Sequence, residues 1–194
     1  MKKYLLLLLA LNSMTLNSCS TMSIDVGDVS EAELAHERRT RATILKDRTI
    51  EAVAYAELKD AQDLLTETHV TVSAYNGAVL VTGEAANAKL GQKIITLVQD
   101  IDNIRLIHNN LVIAPPSDTT SRAEDRRIAD TVRTALMQIR SIPNFDPAMV
   151  KVVVENANVY LMGAVHRNEG TVVVNVTRLQ SGIKQIITVF QYLD

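Results

Sequence analysis

The amino-acid pattern points to an α+β protein made of two tandem units, each running helix–strand–strand–helix–strand over roughly 70 residues. Three observations carry this. A hairpin sequence occurs twice, a helical apolar stripe precedes each copy, and the chain opens with a short apolar leader that is separate from both. Val70 to Gly83 corresponds to Val150 to Gly163 at an offset of 80 positions, with Val70, Val72, Asn76, Val79 and Gly83 repeated identically and Val81 replaced by Leu161. A repeat of this length defines the folding unit before any single motif does.

The elements follow in chain order. Met1-Lys2-Lys3 and the run from Tyr4 to Leu11 make a positive segment and an apolar core. The run is too short to span a bilayer, which takes about 20 residues, and suits a secretory leader. It ends at Leu16-Asn17-Ser18-Cys19, which resembles the bacterial lipobox, with Asn17 where a smaller residue is usual. Residues 1–18 are therefore expected to be a lipoprotein signal peptide. Cys19 is the expected lipid-attachment residue, carrying diacylglycerol and an N-acyl chain. No other cofactor is expected. Ser20 follows the cysteine, where Asp would favour retention at the inner membrane; this points to the outer membrane with the body in the periplasm.

Residues 19–45 read as a tether that turns helical, with Ser30 as a cap and a basic cluster at Arg38, Arg39 and Arg41. The first unit, 46–114, opens on a helix with Ile50, Ala54 and Leu58 four residues apart and Val53 beside them. Two alternating strands then flank Asn76-Gly77, a strong type I′ turn signal because both residues tolerate positive φ. Leu90, Ile94, Leu97, Val98 and Ile101 make a second helix, and Leu106 to Ile113 a closing strand.

Residues 115–122, with Pro115, Pro116 and Ser117, read as a solvated linker. The second unit, 123–194, starts on the stripe Ile128, Val132, Ala135, Leu136 and Ile139. Its hairpin turns through Asn156-Ala157-Asn158, a looser version of the first. The following run from Thr171 to Val176 is β-branched, so propensity favours a strand. The repeat makes it a helix, with Val172, Val176 and Leu179 as the expected inner face. Gln185 to Leu193 closes the unit. Cores this small need each other or the N-terminal segment for support.

Composition narrows the function. Hydrophobic residues are 47% and charged ones 22%, a globular balance. Net charge is −2, or −4 without Lys2 and Lys3, and aromatics are 4% with no Trp. Neither a basic footprint nor a stacking platform for nucleic acid is present. One cysteine excludes an internal disulfide and a Cys-based zinc site. His36, His69, His108 and His166 have no metal-like spacing, and no Gly-x-Ser-x-Gly elbow or phosphate loop occurs. The expectation is no catalytic residue, no metal and no enzyme.

At Val79-Leu80-Val81-Thr82-Gly83 and Val159-Tyr160-Leu161-Met162-Gly163, followed by a helix and the turns Asp102-Asn103-Ile104 and Ser181-Gly182-Ile183, the chain resembles the BON domain family. Asn103 stands where Gly is usual, and Asn also accepts a left-handed backbone. The resemblance implies αββαβ modules, each a small three-stranded mixed sheet with two helices, and no enzymatic activity. For a lipoprotein with two copies it implies anionic phospholipid binding through the second, support of outer-membrane integrity, and action near the outer-membrane protein assembly machinery. The surface implied is the first helix of the second copy, about Asp125 to Arg140. Its contact residues are Arg126, Arg127, Ile128, Val132, Arg133, Met137 and Arg140, with Arg127 where the family pattern can place a large aromatic. Charge agrees: residues 46–114 carry six bases and nine acids, whereas 123–194 carry eight bases and seven acids. The alternative is a protein adaptor of the envelope assembly machinery, docking through Tyr160 and Met162 as exposed strand residues.

Overall fold

The computed structural model describes residues 38–194; Cys19, its leader and the expected tether up to residue 37 lie outside the described residues. The first unit contains α1 (Arg41–Asp60), β1 (Thr68–Tyr75), β2 (Ala78–Ala85), α2 (Ala88–Gln99) and β3 (Leu106–Ile113). The second contains α3 (Thr119–Leu136), β4 (Val150–Glu155) after a short 3₁₀ turn at Pro147–Met149, β5 (Asn158–Val165), α4 (Arg167–Arg178) and β6 (Gln185–Tyr192). In each unit the first two strands are antiparallel and the third lies parallel to the second, with orders β1-β2-β3 and β4-β5-β6. The parallel pairing follows from the crossover helix, which returns the chain to the starting end of the sheet.

Local chemistry starts the helices. Thr40 Oγ1 accepts from Thr43 N at 3.1 Å, Asn87 Oδ1 from Leu90 N at 3.0 Å, and Asp118 Oδ1 from Ser121 N at 2.7 Å. Asp118 therefore begins α3 at Thr119, so the connection is shorter than 115–122. The helix ends at Leu136 rather than running to Arg140, and Ile139 closes a turn onto the Leu136 carbonyl at 3.1 Å.

Both hairpins have two-residue turns, with Tyr75 paired to Ala78 and Glu155 to Asn158. Asn76 and Gly77 sit at φ +50° and +72°, and Asn156 and Ala157 at +53° and +61°. The second turn is thus of the same kind as the first, not looser, even though Ala157 must accept a backbone that its Cβ disfavours. A buried acid supports each turn from the preceding helix. Asp47 accepts from Asn76 N and Gly77 N, both at 2.8 Å; Asp125 accepts from Asn156 N at 2.8 Å and Ala157 N at 2.7 Å. Asn103 at φ +68° takes the place that Gly182 fills at +85°, as its residue type allows.

The repeated glycine of the second strand has a steric cause. A Cβ on Gly83 would lie 1.9 Å from the His69 carbonyl oxygen, and one on Gly163 would lie 2.7 Å from that of Met149. The neighbouring strand passes too close for any side chain there.

The valine-rich run is helical, as the repeat requires, but its inner face is rotated from the expected one. Gly170, Val173 and Thr177 point inward, Val172 and Val176 pack on the flank, and Leu179 is 83% exposed. Gly170 allows this phase by sitting against the rings of Phe190 and Tyr192, and Thr177 satisfies its buried hydroxyl on the Val173 carbonyl at 2.8 Å. Leu179 follows the last helical residue, and the chain turns before it could reach the core.

Each sheet buries one face under its own helices: Val72, Val79 and Val81 in the first, Val152, Val159 and Leu161 in the second. The opposite faces pack on each other through Tyr75, Leu80, Val153, Tyr160, Met162 and Ala164. The layers thus run helix, sheet, sheet, helix. Tyr75 donates its hydroxyl to the Met149 carbonyl at 3.0 Å, and Lys151 pairs with Glu51 across the two units. Glu51 also accepts from the edge-strand Ala74 N at 2.7 Å.

Candidate functional site

The expected contact residues on α3 and in the turn after it fall into two groups. Ile128 and Val132 are 1% and 0% exposed and belong to the core of the second unit, so they do not form a lipid surface. An amphipathic helix on a small sheet has to spend its apolar stripe on that sheet, and the stripe that identified the helix is the one it buries. Arg126, Arg127, Arg133, Met137 and Arg140 are exposed, Met137 at 55%.

These cations differ in their surroundings. Arg127 forms a forked pair with Glu124, at 3.0 and 2.6 Å, on the solvent side of the helix. The shared hydrogen bonds hold the Glu124 carboxyl below the usual carboxylate range and raise Arg127 above its ordinary value. Arg133 pairs with Asp130 at 2.9 Å and reaches the Val152 carbonyl at 3.0 Å. Arg140 donates to the carbonyls of Met137 and Ile139 just beyond the helix end. Arg126 is in no hydrogen bond or ion pair among the described residues. Asp125, one of the seven acids of the second unit, is buried and committed to the hairpin turn.

Beside the end of α3 lies an apolar groove of about 420 Å³, lined by Leu136, Met137, Pro147, Ala148 and Val150 and rimmed by Arg133 and Lys151. The equivalent position of the first unit, at the end of α1, is a smaller groove of about 170 Å³ lined by Tyr55, Leu58, Lys59, Leu64, Leu65 and Val70. No helix among the described residues is long and apolar enough to cross a membrane.

The other expected features fall elsewhere. Tyr160 and Met162 are 5% and 0% exposed, buried between the sheets, so they offer no docking surface. Arg38 forks onto Glu169 at 2.8 and 2.7 Å, and Arg39 lies 4.1 Å over the Tyr75 ring while pairing with Asp47 at 3.3 Å. That part of the basic cluster joins the N-terminal segment to both units rather than lying free. Cys19 lies outside the described residues.

One grouping had no sequence counterpart. His69, Glu84 and Glu155 converge at the polar end of the interface between the sheets. His69 and Glu84 are cross-strand partners, which the Asn76-Gly77 turn already implied by register. Glu155 arrives from the other unit and had no local signal.

Sequence comparison finds relatives along most of the chain. The chain is 30% identical over 180 residues to the outer membrane lipoprotein DolP of Haemophilus influenzae, covering 92% of this chain and 91% of that protein. It is 27% identical over 157 residues to a 21 kDa hemolysin of Actinobacillus pleuropneumoniae, covering 80% and 79%. A structure of CdsD, a structural protein of the type III secretion system of Chlamydia trachomatis, aligns at 14% identity and TM-score 0.31 over 77% of this chain and 92% of that one. The BON domain model matches twice, at residues 46–115 and 124–194. With both αββαβ units accounted for in this way, the chain belongs to the BON domain family.

Proposed function

We propose that this protein is an outer-membrane lipoprotein, anchored through Cys19 and facing the periplasm, whose second BON module holds anionic phospholipid against α3 and so supports outer-membrane integrity. The observation that carries the reading is the α3 face itself. Arg126, Arg127 and Arg133 stand exposed along it, and Met137 and Arg140 follow in the turn beyond its end, Met137 beside the apolar groove.

The energetics suit a reversible surface contact. The Arg127–Glu124 and Arg133–Asp130 pairs are solvent-exposed and therefore weak, so a lipid phosphate can replace the acid at little cost. Each arginine brought to an anionic surface contributes about 1 kcal/mol. Met137 and the groove offer apolar area to the acyl region, in place of Ile128 and Val132, which stay in the core. The acyl chains on Cys19 keep the module at the bilayer surface, where a weak headgroup contact is populated through high local concentration. The DolP relative bears the name of an outer membrane lipoprotein, which supports the location.

The test is co-sedimentation of the unlipidated fragment from Ser20 to Asp194 with anionic and zwitterionic vesicles. Binding is expected only to anionic vesicles, weakening as salt rises, and the triple change R126E/R127E/R133E should abolish it while leaving the melting curve intact. Undiminished binding by the triple variant would refute the α3 assignment. The adaptor alternative loses Tyr160 and Met162 as its surface, since both are buried between the sheets.

A further inference from the structure

We propose that the polar end of the interface between the two sheets is a divalent-cation site, suited to Zn²⁺ and formed by His69 Nδ1, Glu84 and Glu155. The three donor atoms lie within 4.8 Å of one another. His69 Nδ1 is 3.3 Å from Glu155 Oε1 and 3.7 Å from Glu84 Oε2. Tetrahedral zinc with ligand bonds of about 2.0–2.2 Å places its donors about 3.3–3.6 Å apart, so two of the three edges are nearly set before an ion arrives.

The charges call for a cation. Glu84 and Glu155 are 2% and 5% exposed. Two buried carboxylates this close are costly without a compensating charge. Of the basic side chains nearby, Lys151 is engaged on Glu51, Arg133 on Asp130 and Arg122 on the Ser117 carbonyl, while Arg126, which lines the same cleft, is exposed and pairs with neither carboxylate. Glu155 Oε1 is the most telling atom, since it is buried and accepts no hydrogen bond despite its closeness to His69. Its other oxygen is held by Thr71 Oγ1 at 3.3 Å, and Glu84 Oε2 by Ser117 N at 3.1 Å. These contacts aim the carboxylates without using the orphaned atom, as partners behind metal ligands do. Ser117 Oγ, 3.4 Å from His69 Nδ1, or a water supplies the fourth position.

A cleft of about 420 Å³ lined by His69, Thr71 and Glu155 gives an ion access. One imidazole with two carboxylates is a zinc donor set, whereas calcium takes six to eight oxygens and magnesium keeps a near-octahedral oxygen shell. Because β1 and β2 supply two ligands and β4 the third, the ion would clamp one module to the other. The three ligands lie outside α3, although Arg126 and Arg133 of the lipid face line the same cleft.

Thermal melting of the full-length chain, stripped by chelator and then given ZnCl₂, tests the site. At a hundredfold excess over Kd the midpoint should rise by about 5 °C or more, with one zinc bound per chain by calorimetry and no rise with Mg²⁺. Glu155→Gln and His69→Asn should lose the rise, and His108→Asn should keep it. In the unmodified chain the His69 imidazole resonances should shift as zinc is added. The proposal is overturned if zinc leaves the midpoint and those resonances unmoved, or if the His69 and Glu155 variants bind zinc as the parent does.

Discussion

At the tip of each hairpin one carboxylate from the preceding helix takes both amide protons of the turn, Asp47 in one copy and Asp125 in the other. Each is a buried, charge-assisted acceptor, and removing it strands two donors at once. Asp125→Ala is expected to destabilise the protein by about 3 kcal/mol, seen as a lower midpoint in urea, with Asp125→Asn recovering part of the loss. The same residue shows where composition misleads, because one of the seven acids counted for the second unit contributes nothing to its surface. Gly83 and Gly163 make the converse point. They were visible as a repeated glycine, but the reason is the backbone of the neighbouring strand, which leaves no volume for a Cβ.

Helix α4 separates the type of an element from its orientation. The 80-residue offset was enough to assign a helix to a valine-rich run against its propensity. It did not set the phase, because Val172, Val173, Val174 and Val176 put apolar groups on nearly every side and several stripes fit equally well. Packing of Gly170 under the Phe190 and Tyr192 rings selects one. Val173→Ala, which empties a fully buried position, should cost about 2 kcal/mol, whereas Leu179→Ala should stay within about 0.5 kcal/mol. Comparable losses from both in chemical denaturation would refute the observed phase. In α3 the single clean stripe left no such ambiguity, but it also meant that Ile128 and Val132 were spent on the core and only the arginines and Met137 remain outside.

Four layers stack because each sheet has a second face that only the other covers, apolar in the second unit and in the first carrying Tyr75 and Leu80 among Ser73, Thr82 and Glu84. Tyr75 and Leu80 of one module meet Tyr160, Met162 and Ala164 of the other, so neither module buries its second face alone. Glu51 with Lys151 and Arg38 with Glu169 secure the edges of this contact. Met162→Lys would bury an unpaired charge at 0% exposure and should cost about 3 kcal/mol or more, or separate the modules. Differential scanning calorimetry would then show a much lower transition or two transitions, and an unchanged single transition would contradict the sheet-to-sheet packing.

Helix α4 came from the repeat, and the strands, the first hairpin turn and the striped helices came from local rules: period-2 alternation, residues that tolerate positive φ and helical spacing. These are properties of a few neighbouring residues, and one-dimensional pattern reports them well. Alternation distinguishes the two faces of a strand but does not say which body covers each. Tyr160 and Met162 therefore read as exposed until the second sheet was seen to lie on them. The meeting of His69 and Glu84 with Glu155 has the same origin. The first two follow from hairpin register, while the third is brought in by packing between units about 80 positions apart, a contact that no local pattern encodes.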